Sequence, residues 1–275
     1  MPEGPEILFF STFLKNKFLM TKISNIKSNT GEQIGLPEDF EGDIFDIYSK
    51  GKLLCIKVSS TIQDKYYYIH IHLGISGWIL FKEPKNFVKY EFKLTTKTGK
   101  EFNILIDDKT RLSKIDIYNE TEHNEKLNKL GIDIFTSKFT IGKFESVIKS
   151  KNMILASFLL KQEIFCGIGN YIKNEVLYLS NLDINIKTKA LNNQQIIELY
   201  KNILFVAYSC LIEQLKNRDM EKFLAVEYKI NMPLNIEIPY NYRIYGMNKT
   251  SDGQIIKKIK IGGRDTYYVD TQNIL

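Results

Sequence analysis

The apolar positions of EILFFSTFLKNKFL recur at helical spacing. Ile7, Phe10, Phe13, Leu14 and Phe18 share one face, which predicts a first helix after Pro5. The period then shortens. DIFDIYSK, KLLCIKVS, YYYIHIHLG, WILFK, VKYEFKLTTKTGKEFNILI and SKIDIYN are short, rich in β-branched and aromatic residues, and separated by turns such as TKTGKE, so they predict strands. Runs at this spacing point to a sandwich or barrel. Residues 1–120 are therefore expected to form a β-sandwich with one leading helix. From SKFTIGKFESVIKS onward the periods are helical again. NMILASFLLKQ and NYIKNEVLYLSN flank the turn FCGIG, and a longer helix carries Ile196, Tyr200, Ile203, Ala207, Leu211 and Leu215 on one face. The polar stretch YNETEHNEKLNK predicts a linker, assigned to 121–148, ahead of a helical domain at 149–236. The tail, 237–275, alternates once more and turns at GG, predicting a β-hairpin. The fold class expected is α+β in two domains.

Composition narrows the class without choosing a function. The chain has 275 residues, 44% hydrophobic and 25% charged, which supports packed cores rather than disorder. Its longest apolar stretch, ILFVAYSCLI at 203–212, is too short to span a bilayer. The N-terminus lacks the basic-then-apolar pattern of a signal peptide. A soluble, intracellular protein with no membrane partner is expected. Cys55, Cys166 and Cys210 are odd in number and far apart, with no C-x-x-C pair, which argues against a disulfide scaffold or a cysteine zinc site. The formal charge of +6 admits a polyanion partner without requiring one.

Candidate chemistry begins at MPEGPE. A small residue at position 2 favours removal of Met1, which would leave Pro2 with a terminal secondary amine. An α-amino group titrates near roughly 8, against about 10.4 for lysine, so part of it is nucleophilic at neutral pH. Addition to a sugar aldehyde gives an iminium. Alternatively, Pro2 merely starts a turn. Glu3 and Glu6 could shuttle protons beside that amine, or could supply favourable charge at a helix N-terminus, worth about 0.3–1 kcal/mol. Lys52 follows a glycine turn into an apolar strand, and His72 precedes a glycine-rich bend. His70 and His72 share a strand face, but the only other histidine is His123 in the expected linker, so no metal is expected. Gly167, Gly169 and Asn170 open a helix whose N–H groups suit a phosphate.

In this order, MPEGPE, the GK turn, HLGISG, LGIDIF and GIGNYIKNE resemble the formamidopyrimidine-DNA glycosylase and endonuclease VIII family of base-excision repair enzymes. The resemblance covers nearly the whole chain. It implies a β-sandwich catalytic domain followed by a helix–two-turn–helix DNA-binding domain and a terminal finger. It implies DNA with oxidised bases or abasic sites as partner, a monomer, and no cofactor. Pro2 would attack C1′ and displace the damaged base, with β,δ-elimination through a Schiff base. Glu3 would transfer protons and Lys52 would hold a phosphate beside the lesion. His72, Gly169 and Asn170 fall where the family contacts the DNA backbone. Glu6 and Glu175 fall on acidic family positions that support catalysis or structure.

Two segments depart from the family. The terminal finger usually carries four zinc-binding cysteines, yet GGRDTYYVDTQ keeps Gly263, Arg264 and Thr266 with no cysteine. It resembles the zincless finger of some endonuclease VIII-like relatives. Arg264 would still bind phosphate, and Ile255, Ile259, Tyr267 and Tyr268 are expected to pack where the metal is lost. In DDKTRLSK, Thr110 and Leu112 stand where the bacterial enzymes have the arginine and phenylalanine that fill the gap left by a flipped nucleotide. Arg111 matches the phosphate-facing arginine, and Ile75 becomes the remaining wedge. The competing expectation is a non-catalytic damaged-DNA-binding protein on the same scaffold.

Overall fold

The computed structural model describes residues 2–36, 40–60, 65–81 and 86–272. Met1, whose removal the sequence suggests, lies outside the described residues. Two compact units are present, Met1–Lys129 and Leu130–Leu275.

Helix α1 (Gly4–Phe18) leads the first unit. Pro5 lies in its first turn, where a missing N–H removes no helical bond. Glu3 is the N-cap. Its side chain accepts the backbone N–H of Glu6, and Glu6 Oε2 accepts the Glu3 N–H at 2.7 Å. MPEGPE is thus a capping box built of two glutamates. Ile7, Phe10, Leu14 and Phe18 are buried, as the spacing predicts, and Phe13 is half-buried.

Eight strands follow: β1 (Lys22–Ser28), β2 (Gly42–Lys50), β3 (Leu53–Ser60), β4 (Tyr66–His72), β5 (Trp78–Leu80), β6 (Val88–Thr95), β7 (Glu101–Asp107) and β8 (Lys114–Tyr118). They hydrogen-bond as one antiparallel sheet in the order β5-β7-β6-β1-β2-β3-β4-β8. The expected sandwich strands are therefore continuous in hydrogen bonding. β1 had no clear signal, because KISNIKS fully buries only Ile23. Pairing with β2 and β6 makes it a strand.

The stretch 121–148, expected as a linker, spans the boundary between the two units but is not structureless. It holds most of α2 (Glu120–Asn128), then β9 (Ile132–Asp133) and α3 (Ile141–Lys149). An Asn119–Glu122 capping box starts α2 despite its polar sequence. Lys50 Nζ donates to the Leu127 carbonyl at 2.7 Å and holds its far end. The residue that α2 buries is His123.

The second unit continues with α4 (Leu155–Leu159), β10 (Phe165–Cys166), α5 (Asn170–Leu179), α6 (Asn193–Lys216) and α7 (Val226–Lys229). β10 pairs in parallel with β9. The tight connection between α4 and α5 is held by Gln162, which accepts the Gly167 N–H at 3.1 Å and donates to the Ile168 carbonyl at 2.8 Å. α6, at 24 residues, is long and apolar enough to cross a bilayer by length and composition, which the shorter stretch at 203–212 is not. Ile196, Ile203, Ala207, Leu211 and Leu215 are instead all buried within the unit. The chain ends in a hairpin of β11 (Lys257–Ile261) and β12 (Arg264–Tyr268). Its two-residue turn, Gly262–Gly263, has φ +59° and +76°, the pair of positive values that only glycine adopts at low cost.

Candidate functional site

The register of the first sheet sets where its loops emerge. Lys50 pairs with Leu53 across the two-residue turn Gly51–Lys52. Leu54 pairs with Ile71, and His72 with Lys114. The 51–52 turn, the loop after β4 and the loop before β8 therefore emerge at one end of the sheet. Helix α1 points its start to that same end. It packs on β2 and β3, with Lys15 Nζ 2.7 Å from Asp46 and Ser11 Oγ 3.1 Å from Ser49. The helix thus runs antiparallel to β2, and its start lies about 10 Å beyond Ser11, in the direction of the turn. Pro2, Glu3, Glu6, Lys52, His72, Ile75 and Arg111 come together at this end. Pro2 and Glu3 are buried, Lys52 is half-buried, and His72, Ile75 and Arg111 are exposed.

Two of these loops are clamped by residues that no local sequence pattern singles out. Asp108 is fully buried. Its Oδ1 accepts from Ser76 Oγ at 2.5 Å and Thr110 Oγ1 at 2.8 Å, and its Oδ2 accepts the Ser113 N–H at 2.6 Å. Burial works to raise its pKa, but these hydrogen bonds to the carboxylate outweigh it and hold the group at about 2. Lys89, also buried, donates to the carbonyls of Arg111 at 3.0 Å and Ser113 at 2.6 Å, and pairs with Glu32 at 3.0 Å. Arg111 takes a left-handed φ of +57° and donates to the Val88 carbonyl at 3.1 Å. A Cβ on Gly74 would sit 2.8 Å from the Leu112 carbonyl carbon, so the two loops touch there. Exposed Leu112 therefore abuts the chain at Gly74, next to exposed Ile75, so the two loops offer two exposed aliphatic side chains rather than one.

In the second unit, Gly169 is the N-cap of α5 and Asn170 its first residue. The Asn170 side-chain oxygen is buried and has no hydrogen-bond partner among the described residues. Asn174 Nδ2 donates to the Asn170 carbonyl at 2.7 Å and to the Asp265 carbonyl at 3.2 Å, while its Oδ1 accepts the Tyr267 N–H at 2.8 Å. Lys173 Nζ donates to the Asp265 carbonyl and to Thr266 Oγ1, both at 2.9 Å. Exposed Arg264, next in chain to Asp265, is therefore tied to the start of α5. This corrects the expected packing of the hairpin. Ile255 and Ile259 are exposed at 67% and 38%. Ile261, Thr266 and Val269 are buried instead, and two polar side chains of α5 hold the strand by its backbone. Tyr267 does pack, edge-on to Tyr245 at 5.5 Å.

Glu175 is fully buried. Its Oε1 accepts the N–H groups of Ile244 and Tyr245 at 3.0 and 2.8 Å, and its Oε2 accepts the Tyr240 hydroxyl at 2.8 Å and the Arg243 N–H at 3.0 Å. Those bonds shape the 240–245 segment, so the catalytic alternative offered for Glu175 gives way to the structural one. Glu6 is likewise engaged at the helix cap, one residue from Pro2 through the Glu3 N–H.

The formamidopyrimidine-DNA glycosylase N-terminal domain model matches residues 1–115, and the H2TH domain model of the same enzyme matches 130–216, together well over half of the chain. The chain belongs to the formamidopyrimidine-DNA glycosylase and endonuclease VIII family. Family relatives named formamidopyrimidine-DNA glycosylase are similar along almost its full length. One from Oceanobacillus iheyensis is 25% identical and covers 98% of this chain and 97% of its own. One from Rickettsia conorii is 22% identical, with 98% of each chain covered. A crystal structure of the Lactococcus lactis enzyme, non-covalently bound to DNA containing an AP site, matches with a TM-score of 0.77 at 17% identity over 100% of both chains.

Proposed function

We propose that this chain is a bifunctional DNA glycosylase and abasic-site lyase of base excision repair, acting on oxidised bases through its N-terminal proline. The observation that carries the reading is the gathering of Pro2, Glu3, Lys52, His72 and Arg111 at one end of the first sheet, on four chain segments, in a member of a glycosylase family. Lactococcus structures with abasic-site and Fapy-dG DNA support DNA as the partner.

With Met1 removed, the Pro2 nitrogen attacks C1′ and the base leaves with a proton. The ring opens to an iminium joining Pro2 to the sugar. Loss of a C2′ proton expels the 3′ phosphate, a second elimination expels the 5′ phosphate, and water releases Pro2. Glu3, next in chain to the Pro2 amine, moves protons beside it, and its backbone N–H donates to Glu6 Oε2. Lys52, Arg111 and Arg264 grip phosphates, and Asn170 with the first N–H groups of α5 adds a further anion contact. No cofactor is needed, since amine and carboxylate come from the chain. The hairpin is a zincless finger: no Cys or His follows residue 230.

Borohydride trapping tests this reading. Mixed with abasic-site DNA and borohydride, the native chain is expected to become covalently attached, and a chain with one extra N-terminal residue is not. Equal trapping of both would remove Pro2 as the nucleophile. Tight binding with no trapping at all would favour the non-catalytic alternative, for which the full engagement of Glu6 at the helix cap is the supporting feature.

A further inference from the structure

A row of polar side chains crosses the first sheet away from the loops described above. Tyr48, Cys55, His70 and Asp116 are successive cross-strand neighbours on β2, β3, β4 and β8, so they stand on one face. α2 lies over this row and brings His123 down onto it. His123 Nδ1 is 2.7 Å from His70 Nε2, and His123 Nε2 is 2.6 Å from the Tyr48 hydroxyl. The imidazole stacks on Tyr68 with centroids 4.1 Å apart and planes 12° apart. One ligand atom from each of Cys55, His70 and His123 lies within 4.8 Å of the other two. All three residues are buried, at 0%, 1% and 3% exposure.

We propose that Cys55, His70 and His123 form a binding site for a zinc-type divalent cation, which pins α2 to strands β3 and β4. A thiolate and two imidazoles are the donor set such borderline-soft ions prefer, and three protein ligands leave a fourth position for water. Tetrahedral bonds of 2.0–2.1 Å to nitrogen put two imidazole nitrogens about 3.3 Å apart. The His70–His123 separation must therefore open by about half an ångström, which ring rotation supplies. Tyr48 then serves as the partner that fixes the His123 ring through its other nitrogen. The protons balance. The Cys55 thiol loses one to solvent. The proton now shared between the two imidazoles is displaced, His123 carrying its proton on Nε2 toward Tyr48 and His70 carrying its own on Nδ1. Net release is one proton per ion.

This site is independent of the DNA chemistry, so either reading can fail without the other. The test uses the full, untagged chain, stripped with chelator and titrated with cobalt(II). One equivalent is expected to saturate, with visible bands of a tetrahedral ion and a near-ultraviolet thiolate charge-transfer band. Cys55→Ala should abolish the charge-transfer band, and His123→Gln, which keeps a planar group over Tyr68, should weaken binding at least tenfold. Cys166→Ala and Cys210→Ala should leave the titration unchanged. Should Cys55→Ala fail to fold, imidazole nitrogen resonances of the wild-type chain under zinc decide the matter: His70 and His123 are expected to shift and His72 to stay. No saturable cobalt at micromolar concentration, a charge-transfer band that survives Cys55→Ala, or zinc shifts confined to His72 would overturn the proposal.

Discussion

Four donors occupy the two oxygens of Glu175, which exhausts the lone pairs of a carboxylate. Glu175→Gln turns one oxygen toward its N–H neighbours as an NH2 group and leaves two donors unpaired. At about 1–3 kcal/mol for each, the variant should lose roughly 2–6 kcal/mol in urea unfolding. Unchanged stability with lost cleavage would return Glu175 to the reacting atoms. Asp108 makes a prediction in pH. Its carboxyl is held at about 2, below the ordinary carboxylate value. A depressed pKa contributes stability above the unfolded-state value, and that contribution disappears as pH falls through the folded one. Between about pH 4 and pH 2 the wild type should therefore lose on the order of 1–2 kcal/mol that Asp108→Asn never had. Parallel acid-unfolding curves for the two proteins would refute the clamp.

At the scale of elements, α5 and the terminal hairpin act as one piece. Lys173 and Asn174 hold β12 by the Asp265 carbonyl, the Thr266 hydroxyl and the Tyr267 N–H. Charge-assisted bonds to backbone are about as strong as any that a small hairpin makes, and two strands alone are marginal in water. Asn174→Leu should therefore weaken DNA binding about tenfold, although Asn174 is not itself a phosphate ligand in the proposed function. Arg264→Ala differs in kind: it should flatten the plot of log affinity against log salt by about one phosphate's worth of slope. Filter binding across salt separates them, since Asn174→Leu with an unchanged affinity would mean that the hairpin is held some other way. The NYIKNE motif contained both anchoring residues, but nothing in its spacing distinguishes a side chain that grips a strand from one on a solvated face.

For the molecule as a whole, the substrate form follows from what fills the hole left by a flipped nucleotide. Opening a duplex costs a few kcal/mol, and least when the strand is already single. Here, among the described residues, the tip offers Ile75 and Leu112, exposed at 40% and 57%. Single-stranded lesions should be cut at least as fast as paired ones, with little dependence on the opposite base. Single-turnover rates on one lesion, unpaired and opposite each base, check this, and a strong opposite-base dependence would sink it. The leading helix, most strands of the first sheet, the long helix α6 and the terminal hairpin were legible along the chain, because period-two and helical patterns and a GG turn are local properties. The family was legible too, because MPEGPE and GIGNYIKNE keep their order along the chain. Tertiary structure alone decided the rest. Strand register brought Lys52, His72 and Arg111 to one end, burial of a single histidine turned an expected linker into α2, and pairing on both sides made KISNIKS a strand. Cys55, His70 and His123 lie on three different elements, and only the pairing of β3 with β4 and the docking of α2 set them side by side. Contacts between residues so distant in the chain depend on packing, and no local pattern carries them.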